Sequence, residues 1–221
     1  MVGLVKTNKQ GQSLGRKGHA TRRKLMDAAE RLLGTTSPVE LTVVAIAQEA
    51  ETSSATFYMY FKDVKEVLYA LSQIAGQEMI QVSAVMDQSW DLERFEAHAI
   101  KLVRSYDAIW NKHRKILQYR NMEADRGEPE FEKLRMDSAL PFVERLAREI
   151  LAHSPEKGGP TLGEAYAIGS VLHASLERLA ATDPEVIKRS SGVNRLIAAQ
   201  ARVIAEVMRS TTSGWKPLPK G

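Results

Sequence analysis

No cysteine occurs in the 221 residues, which removes disulfide frameworks, thiolate zinc sites, iron–sulfur clusters and cysteine nucleophiles together. A reducing compartment is the simplest home for such a chain. Long apolar runs are also missing. The longest, such as Thr42 to Ala47, fall far short of the roughly 18 residues a membrane span needs, and the charged N-terminus has none of the apolar core of a signal peptide. The chain therefore reads as neither exported nor membrane-spanning. Aromatic residues are scarce, fourteen in all, while 43% hydrophobic and 26% charged residues are ordinary for one or two globular domains. Period-2 alternation is absent as well, so no half-buried strand is expected.

What is present is unevenly placed. The net charge is only +4, yet Lys6, Lys9, Arg16, Lys17, Arg22, Arg23 and Lys24 all fall in the first 26 residues with no acid among them. A basic arm over 1–18, without hydrophobic periodicity, reads as disordered in isolation and suited either to a polyanion or to solubility alone. From His19 the pattern turns helical. The first helix is expected over about 19–33, with Leu25, Ala28, Ala29, Leu32 and Leu33 inward. A second, short helix follows the cap residue Thr42, and a third follows Ser53 and stops near Phe61. Longer amphipathic helices are expected over 63–86, from Asp91 to about 112, over 114–124, from Pro129 to His153 with Pro141 inside, over 161–181 and over 184–210. The fold class is all-α: a three-helix N-terminal domain and a larger C-terminal bundle, about nine helices in total.

Two short helices joined through Glu51 and Thr52, the second opening on a serine cap, form a helix-turn-helix able to seat one helix in a major groove. Phe57, Tyr58, Tyr60 and Phe61 crowd into five positions of that second helix. Phe57 and Phe61 share one face at i, i+4 and can anchor it. Tyr58 and Tyr60 point elsewhere; with Ser54, Thr56, Lys62 and Lys65 nearby, an outward phenol suits phosphate oxygens. Thr42 and Ser53 complete the polar set, and Ser54, Ala55 and Thr56, in the first turn of the reading helix, are the expected base-edge residues.

The segments Leu25-Met26-Asp27-Ala28-Ala29, Leu41 to Ala47 and Ala50 to Phe61 closely resemble the DNA-binding domain of TetR-family bacterial transcriptional regulators. The resemblance covers about 50 residues in order. It implies a DNA-binding domain over 19–62, a helical ligand-binding and dimerisation domain over 63–210, a tail over 211–221, operator DNA as partner, and a homodimer formed by the last two helices. It places Arg22 and Arg23 toward phosphates or the minor groove and matches the family's phosphate-contacting lysine best to Lys65. Glu51 stands where the family usually has glycine. An L-residue tolerates left-handed backbone poorly, so a slightly different turn geometry is expected.

Catalytic patterns are hard to find. Glu93 and His98 have the wrong spacing for a metal pair, His173 and Glu177 lack an evident third ligand, and no phosphate loop, serine elbow or dinucleotide fingerprint occurs. No cofactor, metal or enzymatic activity is expected. Met86, Trp90, Phe95, Tyr106, Trp110, Tyr119, Met122, Phe142 and His173 could line a pocket for an unidentified small molecule or could simply be core. In the last two helices the stripes Ala165, Gly169, Leu172, Leu176 and Leu196, Ile197, Val203, Ile204, Val207 are expected to build the dimer interface. The reading is a bacterial cytoplasmic repressor, released from its operator when a ligand moves the long fourth helix. A ligand-independent activator or nucleoid protein and an all-α enzyme are the alternatives.

Overall fold

The computed structural model describes residues 9, 11, 13–86, 90–212, 215 and 216, and among these it holds ten α-helices, three short 3-10 turns and no strand element. The helices divide between two compact units. One comprises the chain up to Gln77 together with His113–Arg135; the other comprises Glu78–Lys112 together with the chain from Met136.

In the first unit, α1 (Arg16–Leu32) buries Leu25, Met26, Ala28 and Ala29, the i, i+3, i+4 stripe of an amphipathic helix. It begins three residues before the expected start, so Arg16, Lys17 and Gly18 of the basic arm are helical. Residues 1–8, 10 and 12 of that arm lie outside the described residues. Helix α2 (Val43–Glu49) is capped by the Thr42 hydroxyl, which accepts the Ala45 N–H, and α3 (Ser54–Tyr60) by Ser53, which accepts the Thr56 N–H. Helices of seven residues are too short to stand alone, and each such cap contributes about 1 kcal/mol. Asp63 accepts the Glu66 N–H at the start of α4 (Val64–Val82). Helix α6 (Arg114–Asp125) turns through Gly127, at φ 87°, into α7 (Pro129–His153), which carries Pro141 inside it. The core that carries the two short helices thus extends beyond 19–62 to include the first part of α4, α6 and the start of α7.

The second unit holds α5 (Phe95–Lys112), α8 (Leu162–Ala180), α9 (Pro184–Arg189) and α10 (Val193–Thr212). A Thr161/Glu164 capping box opens α8. Helix α5 packs along α10, each burying a full face: Ala99, Leu102, Val103 and Tyr106 on one, Ala201, Ile204, Ala205 and Met208 on the other. Two expectations are corrected here. The single helix expected over 184–210 is two, because the chain breaks at Ser190–Gly192, where Gly192 takes φ 79° and returns its N–H to Ile187 O; this gives ten helices in place of nine. The stripe Ala165, Gly169, Leu172, Leu176 is buried within the chain's own core. A Cβ at Gly169 would stand 3.1 Å from the Val143 carbonyl, so α7 already fills that side. Ile197 and Ile204 are buried likewise, whereas Val203 is exposed.

Candidate nucleic-acid interface

The helix-turn-helix is held from behind. Phe57 and Phe61 are fully buried, their rings 5.7 Å apart, and Ile46 and Ala47 of α2 are buried as well. Two ion pairs tie α1 to the end of α2 and to the turn that follows it: Arg31 to Glu49 at 2.6 Å and Lys24 to Glu51 at 2.8 Å. Glu51 takes φ 47°, so the turn keeps the left-handed conformation despite the side chain, contrary to the altered geometry expected of it. The Lys24 ammonium, through its hydrogen bond and its charge, holds the Glu51 carboxyl below the usual carboxylate range.

With that scaffold fixed, α3 presents a small outer surface. Ala55 and Tyr58 are exposed, Tyr58 by 53% with its ring edge-on to Phe57; Ser54 and Tyr60 are half-buried. Thr56 is half-buried and its hydroxyl lies 3.0 Å from the Ser53 hydroxyl. Thr42 and Ser53 are exposed cap residues at the starts of their helices. The exposed ends of α2 and α3 therefore carry hydroxyls, a methyl and a phenol, the groups suited to close approach and to phosphate oxygens.

The cations divide differently from their expected roles. Lys62 is exposed, and its ammonium makes no ion pair among the described residues. Lys65 is drawn away into carboxylates of the α6–α7 corner, 2.7 Å from Glu128 and 3.2 Å from the buried Glu123, with the Phe131 ring beneath it. These hydrogen bonds and charges raise the Lys65 pKa. Arg126 flanks Glu123 at 3.5 Å. Arg23 is exposed and paired with Asp27 at 2.7 Å. Arg22 is half-buried; its guanidinium lies 4.8 Å from the centre of the Phe61 ring, one nitrogen donates to Met26 Sδ, and Nε is shielded without a partner. Burial lowers its pKa, and Glu66 partly restores it. Arg22 thus packs against the fold, while Arg23 faces outward. Sequence reasoning missed Glu66, Glu123 and Glu128. Only Glu66, four residues past Lys62, left a local trace.

The expected pocket residues do not form one group. In the second unit, Tyr106 and Trp110 lie nearly parallel, Phe142 and His173 pack edge-on or tilted against Tyr106 and one another, and the Tyr106 hydroxyl lies 3.4 Å from His173 Nε2. Phe95 belongs to a second cluster with Trp90 and His153, in which Trp90 stacks on His98, and Met86 is buried. Tyr119 and Met122 belong to the first unit, where the Tyr119 ring meets Phe131 and desolvation, then Glu123, pushes the phenol up to about 12. No group of three His, Asp or Glu among the described residues is arranged to hold a metal ion, and no described helix is long and apolar enough to cross a membrane.

Residues 25–71 match the profile of bacterial regulatory proteins of the tetR family. No curated protein matches the chain in sequence. In fold it is similar to the fatty acid degradation regulator FadR from Bacillus halodurans (15% identity, 89% of this chain and 96% of that one, TM-score 0.62) and to a TetR-family transcriptional regulator from Mesorhizobium loti (16%, 89% and 98%, 0.61). It is similar also to SmeT, the repressor of the Stenotrophomonas maltophilia multidrug efflux pump SmeDEF, in complex with triclosan (15%, 91% and 100%, 0.58). The capped pair α2–α3, its buried Phe57 and Phe61 and the profile match over the same residues identify the segment 25–71 as a helix-turn-helix of the kind that bacterial regulatory proteins of the tetR family use to bind DNA.

Proposed function

We propose that the chain is a homodimeric repressor of the bacterial cytoplasm that leaves its operator when a small molecule binds the C-terminal bundle. The observation that carries the DNA half of this reading is α3 itself. It is a helix too short to be stable alone, capped by Ser53 and pinned by two buried phenylalanines, with Ala55 and Tyr58 left outward. Residues 19–62 would read the duplex, and 63–210 would bind the ligand and pair the protomers. Ala55 and Ser54 would approach base edges; Tyr58, Tyr60, Lys62 and Arg23 would meet phosphates, with Thr42 and Ser53 at the helix starts.

The ligand half rests on the cluster of Tyr106, Trp110, Phe142 and His173, which offers apolar faces with a few polar atoms. The Trp110 indole N–H is buried without a hydrogen-bond partner, a donor that an entering acceptor would satisfy. That SmeT is known in complex with triclosan supports looking for a small molecule there. Exposed Val171 of α8 and Val203 of α10 support pairing through those helices. Binding would then act by preferring one placement of α4 over another.

Selection from random duplexes tests the reading. The wild type should enrich an inverted repeat whose half-site centres lie about one helical turn, roughly 34–36 Å, apart, and Ala55→Gln should enrich a different one. Absence of any enriched site would favour a nucleoid protein. A compound that raises thermal stability should lower operator affinity in the same titration.

A further inference from the structure

Glu66 stands in the first turn of α4, just past the recognition helix, and its carboxylate is a meeting point. One oxygen takes the Lys9 ammonium at 2.5 Å; the other accepts the backbone N–H of Lys62 at 2.6 Å. Lys9 is held a second time, because its own N–H donates to the Met59 carbonyl at 2.9 Å. That carbonyl is in the last turn of α3, where a helix has no internal donor left to offer it. Arg22 of α1 completes the surroundings, lying over Phe61 and attracted to Glu66.

An ion pair between partly exposed side chains contributes little by itself. This one differs because a backbone hydrogen bond fixes the same residue, and because that residue belongs to the basic arm. A carboxylate beside a DNA-reading helix is otherwise a liability, since it repels the phosphates that Lys62 would attract.

We propose that Glu66 is a positioning residue for DNA binding: through Lys9 it fastens the basic N-terminal arm to the end of the recognition helix, so that arm and helix meet one duplex together. The inference rests on the reading of α3 as the groove-entering helix. Two fixed points place Lys9 beside α3 before a duplex arrives, so less ordering remains to oppose binding there. It also fixes the sign of a substitution. If Glu66 acted only through its charge, Glu66→Gln would tighten DNA binding; as an anchor, its loss weakens binding.

Two measurements test this. The first needs no DNA: trypsin cleavage after Lys9 in the folded chain should be about fivefold faster in Glu66→Gln than in wild type, because cleavage follows the population of the released arm. Equal rates with equal thermal midpoints overturn the anchor. The second is a cycle of duplex affinities among wild type, Glu66→Gln, a chain shortened by residues 1–8, and the combination. Glu66→Gln should weaken binding about three- to tenfold in the full chain, lower the salt dependence by about one to two units, and change affinity less than about twofold in the shortened chain. Lys9→Met should reproduce the loss. Tighter binding by Glu66→Gln, or an equal loss in both backgrounds, overturns the proposal while leaving the DNA reading intact; a wild type that binds no duplex overturns both.

Discussion

The carboxylate of Glu51 lies 2.8 Å from the Lys24 ammonium, on a residue whose backbone is left-handed at φ 47°. The turn of this helix-turn-helix is therefore held against a local preference by the packing of α1, α2 and α3, with an exposed ion pair alongside. Glycine adopts that backbone without steric cost, so Glu51→Gly should raise the melting temperature by about 2–3 °C, while Glu51→Ala, which keeps the Cβ and loses the pair, should lower it. Because the Glu51 carboxyl is depressed, whatever the pair contributes is present above the ordinary carboxylate pKa and is lost as pH falls through the lower, folded value. Thermal melts of the three proteins at neutral pH decide the matter. A glycine variant that melts below wild type would mean that the ion pair outweighs the backbone.

Lys62 and Lys65 are three residues apart and should behave differently. Lys62→Ala removes an exposed ammonium beside α3 and should weaken specific and non-specific duplexes alike, flattening the salt dependence by about one unit. Tyr58→Phe should likewise weaken both classes about equally. Lys65→Ala takes the partner from the buried Glu123 and from Glu128; it should cost about 1 kcal/mol of stability and leave the salt slope near its wild-type value. Urea titrations and affinities at two salt concentrations separate the pair, and a lowered slope for Lys65→Ala would return it to the phosphates.

The helix starts were legible because their causes are local. Thr42 and Ser53 cap the helices expected of them, and Asp91 caps the short 3-10 turn Leu92–Arg94 that leads into α5, through hydroxyls or a carboxylate that reach only two or three residues along the chain. The break at Ser190–Gly192 has turn composition too, but helical elements continue on both sides of it. What could not be read was which surface meets which. A small-residue stripe at helical spacing looks the same whether it faces its own α7, as Gly169 does, or a second copy. Lys65 and its two carboxylates are 58 and 63 positions apart, beyond any periodicity. Arg22 and Arg23 are adjacent cations in a basic run, and only the fold turns one under Phe61 and leaves the other out.

Tyr119 gives the first unit a pH dependence of its own. Desolvation, reinforced by Glu123, raises its phenol to about 12 from an ordinary value near 10. A group raised in the folded state favours folding while it stays protonated, so its contribution is complete below about pH 10 and disappears as pH rises toward about 12. The loss should be on the order of 1–2 kcal/mol, and Tyr119→Phe should abolish it. Tyrosinate absorbance supplies the direct check: the difference between wild type and Tyr119→Phe should titrate with a midpoint near 12, and a midpoint near 10 would show the ring to be solvated.

The exposed apolar residues of α8 and α10 make a last prediction about assembly. Val171 is 70% exposed and Val203 56% exposed, whereas Ala165, Gly169, Leu172 and Leu176 are buried in the protomer. If two copies pair through these helices, a charge on the outer face should separate them without disturbing the core: Val171→Glu with Val203→Glu should sediment as a monomer, keep wild-type helicity, and lose operator affinity at physiological salt because two half-sites are no longer bound together. Gly169→Arg should behave otherwise. Its first added carbon already meets the Val143 carbonyl at 3.1 Å, so the variant should melt well below wild type and not simply dissociate. Sedimentation and thermal melts of both variants distinguish the outcomes. A double glutamate variant that remains dimeric would place the interface on another surface, and a wild type that sediments as a monomer at micromolar concentration would remove it altogether.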